Sequence, residues 1–264
     1  MNPILSTAQQ WLVNHPKILN FSWTPGLTFG STPQFLILTV LTYLTFTLLL
    51  SHNSISFPIG PNFLKPITAI QSFTLFLLSL IMAIGCTLSI IYHHKHDLTH
   101  IICFPPHTKP SGPLFFWAYI FYLSKILEFV DTLLIILSNS IKRLTFLHVY
   151  HHSTVVIMCY LWLSTCQSLF PIALVTNAGV HVLMYWYYFL CAMGIRPRWK
   201  RLVTDCQIVQ FVISFLISSL MVYYHFSGVG CSGIWGWCFN AVFNASLLGL
   251  FLDFHLKSYA RKKV

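Results

Sequence analysis

The stretch Pro113–Ser138, PLFFWAYIFYLSKILEFVDTLLIILS, decides the fold. It is apolar over more than the roughly 20 residues that a helix needs to cross a bilayer. It nevertheless carries Lys125, Glu128 and Asp131 at intervals of three, so all three share one helical face. A mid-membrane charge costs about 2.5–3.5 kcal/mol on the insertion scale, and such residues are rare and functional by default. We therefore predict a transmembrane helix with a functional polar face; a structural ion-pair network is the alternative.

The rest of the chain repeats this apolar pattern. Hydrophobic residues make up 56% of the 264 residues, charged residues 8%, and the mean hydropathy is +0.72. Soluble domains carry about 25% charged residues, so the composition excludes a water-soluble fold. We predict an all-α polytopic membrane protein with a single membrane domain, residues 1–264. Proline and glycine turn signals separate seven predicted helices, at about 33–51, 68–92, 113–138, 145–164, 169–192, 204–226 and 234–256.

The basic residues predict the orientation. With the C-terminus in the cytosol, the opposite side of the membrane receives only Lys17, Lys95 and Lys109. The cytosolic set is much larger: Lys65, Lys142, Arg143, Arg196, Arg198, Lys200, Arg201, Lys257, Arg261, Lys262 and Lys263. The positive-inside rule then gives a lumenal N-terminus and a cytosolic C-terminus. The net charge of +10 is thus a topology signal, and no basic tract is long enough to argue for nucleic-acid binding.

The lumenal loops of this topology contain cysteines and histidines. Because the lumen is oxidising, we predict a disulfide between Cys103 and Cys231, with Cys166 as the competing partner. The same side carries a histidine cluster that is a candidate metal site: His93, His94, His96 and His100. It lies across the membrane from the histidines of the fourth span, so the two groups should not share a metal.

The fourth span opens with HVYHH, which places His148, His151 and His152 on one helical face. Two chemistries suit these imidazoles. One is metal ligation through neutral imidazole, and the other is proton transfer with nucleophilic attack near neutral pH.

The fifth and sixth spans each contain a polar stripe. In NAGVHVLMYWYYF, Asn177, His181, Tyr185 and Tyr188 align on one side of the helix, which favours a buried polar lining over plain helix packing. In TDCQIVQF, Gln207 suits either the same lining or an interhelical hydrogen bond.

In the predicted topology, the polar faces of the third to sixth spans all lie in the cytosolic half of the membrane. A chamber that opens to the cytosol is the economical explanation. Basic residues rim its mouth and would attract phosphate-bearing ligands: Lys142, Arg143, Arg196, Arg198, Lys200 and Arg201.

Four segments over residues 121–211 resemble the ELO family of very-long-chain fatty acid elongases. KILEFVDT, HVYHH, NAGVHVLMYWYY and TDCQIVQF fit the patterns KxxExxDT, HxxHH, NxxxHxxMYxYY and TxxQxxQF, in that order. The resemblance implies seven transmembrane helices, six of them around a narrow substrate tunnel that is closed at the lumenal end. It also implies a 3-oxoacyl-CoA synthase of the endoplasmic reticulum, which condenses acyl-CoA with malonyl-CoA without a redox cofactor or metal. The terminal Arg261–Lys262 pair resembles a dibasic retrieval signal.

The resemblance also assigns roles to residues. His151 would be the nucleophile that takes the acyl group from CoA as an acyl-imidazole, with His181 beside it. Orienting roles and proton transfer would fall to His148 and His152. Asn177 and Tyr185 would stabilise the enolate. The residues expected around the substrates are Lys125, Glu128, Asp131, Tyr188, Gln207 and the six basic residues of the rim.

Two other functions fit parts of the pattern. A diiron desaturase or hydroxylase needs about eight histidines on one side of the membrane, and here that side supplies only His148, His151, His152 and His181. A non-enzymatic seven-helix transporter would suit the charged face of the third span. The expected partners are acyl-CoA, malonyl-CoA, the lipid bilayer and other enzymes of the elongation cycle, and a homodimer is a candidate assembly.

Overall fold

The computed structural model describes residues 3–52, 60–93, 99–228 and 230–259. Apart from an isolated bridge between Ser22 and Ser111, the regular structure of this part of the chain is helical, which confirms the all-α prediction. The α-helices are α1 (Pro3–Leu12), α2 (Pro16–Leu19), α3 (Pro33–His52), α4 (Pro61–His93), α5 (Thr99–Ile102), α6 (Pro113–Leu127), α7 (Phe129–Leu137), α8 (Phe146–Ser164), α9 (Phe170–Ala192), α10 (Lys200–Ser227) and α11 (Ile234–Tyr259). A short 3₁₀ helix, Ile141–Arg143, precedes α8.

The chain is a multi-pass membrane protein. Among the residues that the structure describes, four helices are long and apolar enough to cross a membrane: Pro33–Ser51, Asn62–His93, Lys200–Ser227 and Ile234–Tyr259. The other predicted spans correspond to the pair α6 and α7, to α8 and to α9. These three carry the charged and histidine-containing segments and are not among the four apolar helices. The total of seven spans therefore stays a prediction.

Helix α4 begins at Pro61 rather than near residue 68, where the turn signals place its start. Pro66, interpreted as such a signal, lies inside the helix. Proline lacks a backbone N–H, but here it removes only the bond to the Asn62 carbonyl in the first turns, and the helix continues through it.

The third predicted span is interrupted rather than continuous. Helix α6 ends at Leu127 and α7 begins at Phe129, with Glu128 between them. An interrupted helix needs new partners for its carbonyl groups inside a membrane. The Gln71 side-chain amide of α4 donates to the Leu127 carbonyl oxygen at 3.4 Å, so a neighbouring span supplies the missing hydrogen bond.

Six helices form a closed ring. Following the neighbours around it, α4 packs on α6, α6 on α8, α8 on α11, α11 on α10, α10 on α9, and α9 on α4. Helix α3 packs outside this ring against α7 and α8. Six is the number that the resemblance implies around a tunnel; the tunnel itself stays a prediction. Large aromatic side chains fill the core, and Phe121, Trp162 and Phe170 are almost fully buried.

The two ends of the bundle differ in chemistry. At one, the disulfide end, Cys103 and Cys231 form a disulfide, the pair named from the sequence, while Cys166 is a free buried thiol. Ser168 donates to the Ser232 carbonyl oxygen at 2.9 Å, which joins two loops there. The other, the basic end, carries loops 138–145 and 193–199. Residues of the predicted retrieval tail, Arg261 and Lys262, lie outside the described residues.

Candidate active site

The charged face of the third span is buried against α9. The Lys125 ammonium donates to Glu128 Oε1 at 2.8 Å and lies 3.2 Å from His181 Nδ1. The same histidine nitrogen lies 3.4 Å from Glu128 Oε1. Lys125 and Glu128 are only 1% and 2% exposed, so their charges compensate each other within the protein interior. These three side chains join the KILEFVDT segment to the NAGVHVLMYWYY segment.

Asp131 makes a second connection to α9. The Tyr185 hydroxyl donates to Asp131 Oδ2 at 3.0 Å. Tyr185 is one turn beyond His181, and their rings meet edge to face at 5.5 Å. Two successive acidic residues of the third span thus contact two successive polar residues of α9.

Thr132, the residue after Asp131, connects the third span to the first histidine of α8. Thr145 caps this helix by accepting a hydrogen bond from the His148 backbone N–H at 3.2 Å. The His148 side chain bonds through Nε2 to Thr132 Oγ1 at 2.8 Å. Thr132 in turn bonds to the Tyr43 hydroxyl of α3 at 3.1 Å. Helix α7 therefore lies between α3 and the start of the histidine segment.

The three histidines of HVYHH form one cluster. The ring centroids of His148 and His152 are 4.3 Å apart, and those of His151 and His152 are 5.3 Å apart and nearly perpendicular. His151 also faces the Phe243 ring of α11 at 6.5 Å. His152 is buried, and its Nδ1 atom has no hydrogen-bond partner among the described residues.

The remaining polar residues of α9 and α10 occupy different environments. Asn177, one turn before His181, has a buried side-chain oxygen without a partner among the residues that the structure describes. Gln207 contacts the Met184 sulfur at 3.6 Å, so it connects α10 to α9. Tyr188 is 38% exposed and only borders the buried network, with its ring 6.0 Å from that of Tyr185.

The predicted basic rim lies on the surface at the basic end. Arg201 interacts with Asp205 at 3.6 Å and lies over the Tyr259 ring, and Asp205 also bonds to His255 at 3.0 Å. This group joins the start of α10 to the end of α11. The exposed basic residues there are Lys142, Arg143, Arg196, Arg198, Lys200 and Arg201.

Sequence reasoning missed Tyr43, Phe243 and the Asp205–His255 pair. A tyrosine in an apolar span and a phenylalanine in another carry no pattern that points to a site. Asp205 did carry a signal, because an acidic residue near the start of a membrane helix is unusual.

Metal ligation was one interpretation of the histidines. Over residues 3–52, 60–93, 99–228 and 230–259, no group of three or more His, Cys, Asp or Glu side chains is arranged to hold a metal ion. His93 ends α4 and His100 lies in α5, whereas His94 and His96 of that candidate cluster lie outside the described residues.

Comparison with known proteins identifies the family. The model of the ELO (GNS1/SUR4) family matches residues 28–264. The chain belongs to this family. Fatty acid elongase A of Dictyostelium discoideum is 38% identical over 194 residues, which cover 70% of this chain and 69% of that protein.

Two further relatives cover different shares of the chain. The fatty acid elongase 3-like protein of Arabidopsis thaliana is 29% identical over 97% of this chain and 93% of its own length. The very long chain fatty acid elongase 5 of Mus musculus is 36% identical over 54% of this chain and 48% of its own length.

Proposed function

We propose that this ELO family member catalyses the condensing step of fatty acid elongation. An acyl-CoA and malonyl-CoA react to give 3-oxoacyl-CoA, CoA and carbon dioxide. The observation that carries this proposal is the buried network in which the third span connects the histidines of α8 with His181 of α9. Family membership and the names of the relatives give the proposal its substrate class.

The first step transfers the acyl group to His151. The neutral imidazole attacks the thioester carbonyl carbon, a C–N bond forms, and the C–S bond breaks. The proton of the imidazole N–H passes to the departing CoA thiolate, and it is moved by His152, whose ring lies against His151, and by His148, which lies next to His152. His152 is buried and His148 and His151 are half-buried, which supports this step because water would hydrolyse the acyl-imidazole.

The second step forms the new carbon–carbon bond. Malonyl-CoA loses carbon dioxide, and the electron pair of the broken bond remains as an enolate, which attacks the acyl carbon. The C–N bond then breaks, and one proton from solvent restores the neutral imidazole. Asn177 is the suitable enolate partner, because its side-chain amide lies one helical turn from His181 and an amide N–H can donate to the enolate oxygen. Tyr185 already donates to Asp131 and would act by orienting that carboxylate.

The proposal extends to the surroundings of the site. The exposed basic residues would bind the CoA phosphates at a cytosolic mouth, and Lys125, Glu128, Asp131, Tyr188 and Gln207 would border the substrates. The protein would lie in the endoplasmic reticulum membrane with a lumenal N-terminus, and would cooperate with the other enzymes of the elongation cycle. No redox cofactor or metal is required by this chemistry.

Substitution of the nucleophile tests the proposal. Purified wild-type protein should incorporate labelled malonyl-CoA into a 3-oxoacyl product, and His151→Ala should abolish this incorporation while the melting temperature stays within a few degrees. Incubation with acyl-CoA alone should add one acyl mass to wild-type protein and none to His151→Ala.

His107→Asn is the matched control. His107 is an exposed loop residue with φ +66°, a conformation that asparagine tolerates, and its loss should leave activity unchanged. Incorporation by His151→Ala at the wild-type rate would refute the nucleophile assignment. Absence of condensation by wild-type protein across a ladder of acyl-CoA lengths would refute the function.

A further inference from the structure

A hydrogen-bond chain crosses from outside the helix ring to the histidine cluster. The Tyr43 hydroxyl of α3 is 3.1 Å from Thr132 Oγ1, and Thr132 Oγ1 is 2.8 Å from His148 Nε2. The His148 ring then lies 4.3 Å from the His152 ring, tilted by 43°, and the His152 ring lies against that of His151. The Tyr43 hydroxyl is thus connected through the Thr132 hydroxyl to His148, at one edge of the proposed catalytic cluster.

The position of the Tyr43 hydroxyl is fixed by packing. Its side chain is only 6% exposed, although α3 has an otherwise largely exposed apolar surface. The phenol ring stacks on Phe129 of α7 with ring centroids 4.1 Å apart and an interplanar angle of 18°. Helix α3 contacts both α7 and α8, so it supports the two helices that carry Thr132 and His148.

We propose that Tyr43 is a positioning residue for the histidine cluster. Its hydroxyl donates to Thr132, which leaves the Thr132 O–H to donate to His148 Nε2. This direction fixes the His148 proton on Nδ1 and holds the ring against His152. The first membrane helix, which carries none of the four family segments, would then set the tautomer and orientation of a proton-transferring histidine. This inference rests on the proposed condensing function.

Four variants separate the hydroxyl groups from the packing. Tyr43→Phe removes the phenol oxygen and keeps the ring on Phe129. Thr132→Val removes the central hydroxyl at nearly constant volume, and Thr132→Ser retains it. The fourth variant combines Tyr43→Phe with Thr132→Val. Tyr160→Phe is the matched control. It deletes a tyrosine hydroxyl that bonds to the Ser31 carbonyl oxygen and takes no part in the hydrogen bonds from Tyr43 to His148.

The readout is the single-turnover rate of acyl-enzyme formation, with KM for acyl-CoA measured in parallel. A single hydrogen bond contributes about 1 kcal/mol, so Tyr43→Phe should slow acylation by about fivefold with little change in KM. Thr132→Val should slow it by at least tenfold, and the double variant should be no slower than Thr132→Val alone. Thr132→Ser should restore most of the rate, and Tyr160→Phe should match the wild type.

Two results would overturn the inference while leaving the function intact. One is a wild-type acylation rate for Tyr43→Phe. The other is a double variant whose loss equals the product of the single losses, which would mean that the two hydroxyl groups act independently.

A second readout does not depend on activity. Carbethoxylation of His148 by diethyl pyrocarbonate, followed by peptide mass mapping, reports the availability of its ring nitrogens. Thr132→Val should raise the modification rate several-fold and Tyr43→Phe about twofold. Unchanged modification rates of His148 in both variants would overturn the positioning role of Tyr43, even if the protein condensed no substrate.

Discussion

Lys125 and Glu128 form a buried ion pair in the third predicted span. Their direct contact of 2.8 Å, together with His181, compensates charges that a membrane interior would otherwise make costly. One Glu128 oxygen, Oε2, is buried without a partner among the described residues, so the carboxylate has an acceptor free to orient a neighbouring group. The observed ion pair does not exclude a functional role for the same residues, and that role stays a prediction.

Single and double substitutions should separate these two roles. Lys125→Met or Glu128→Gln alone should destabilise the protein by about 3–5 kcal/mol, because each leaves one buried charge uncompensated. The double variant should recover most of that stability, since no charge remains, yet it should stay inactive. Thermal unfolding in detergent and the condensation assay would measure both quantities.

The exposed pair between Lys257 and Asp253 is the control. Both side chains are more than half exposed, so Lys257→Met should change the free energy of unfolding by less than about 1 kcal/mol. If the variant that combines Lys125→Met with Glu128→Gln were active, the buried pair would contribute to stability only.

At the level of elements, close contact between α4 and α6 depends on Gly85. A Cβ atom at this position would overlap the Trp117 indole, whose N–H also donates to the Leu12 carbonyl oxygen at 3.0 Å. Small residues allow membrane helices to approach in this way. The contact holds α6, and with it the charged face of the third span, in the ring.

Gly85→Ala should therefore destabilise the protein by about 1–3 kcal/mol through overpacking. Gly179→Ala is a matched control in α9, because a Cβ atom there meets nothing within 4 Å. That change should be neutral or stabilise by up to about 1 kcal/mol, since alanine favours helix more than glycine. Equal melting temperatures for the two alanine variants would contradict the packing argument.

At the level of the whole molecule, the segments that connect the helices at the disulfide end are joined to one another. Cys103 and Cys231 are separated by 128 residues in sequence and by 4.9 Å between Cα atoms. The bond joins the segment before α6 to the loop between α10 and α11. Ser168 attaches the loop between α8 and α9 to both of these segments. Its hydroxyl accepts a hydrogen bond from the Phe104 N–H and donates to the Ser232 carbonyl oxygen.

Removing this disulfide should lower the free energy of unfolding, while all residues of the proposed active site stay unchanged. Cys103→Ser combined with Cys231→Ser should cost about 2–4 kcal/mol, because the closed loop is long. Reductant should lower the melting temperature of the wild type and leave the double serine variant unchanged. Cys166→Ser is the control, since that thiol is free at the same end. Wild-type protein that is insensitive to reductant would contradict the expected contribution.

The sequence by itself determined the membrane class, the approximate helix limits and most of the candidate residues. Apolar length and helical spacing are local properties, so they could be interpreted without coordinates. Lys125, Glu128 and Asp131 were predicted to share a face, and His148, His151 and His152 another, because residues three and four apart are neighbours on a helix.

Only the tertiary structure decided which faces meet. It paired Glu128 with His181 and Asp131 with Tyr185, interrupted the third span at Glu128, and brought Tyr43 to Thr132. These contacts join residues that are far apart in the chain, and their partners depend on how helices pack in three dimensions. A pattern within one helix shows which side is polar, whereas the choice of the helix that covers this side is a property of the whole bundle.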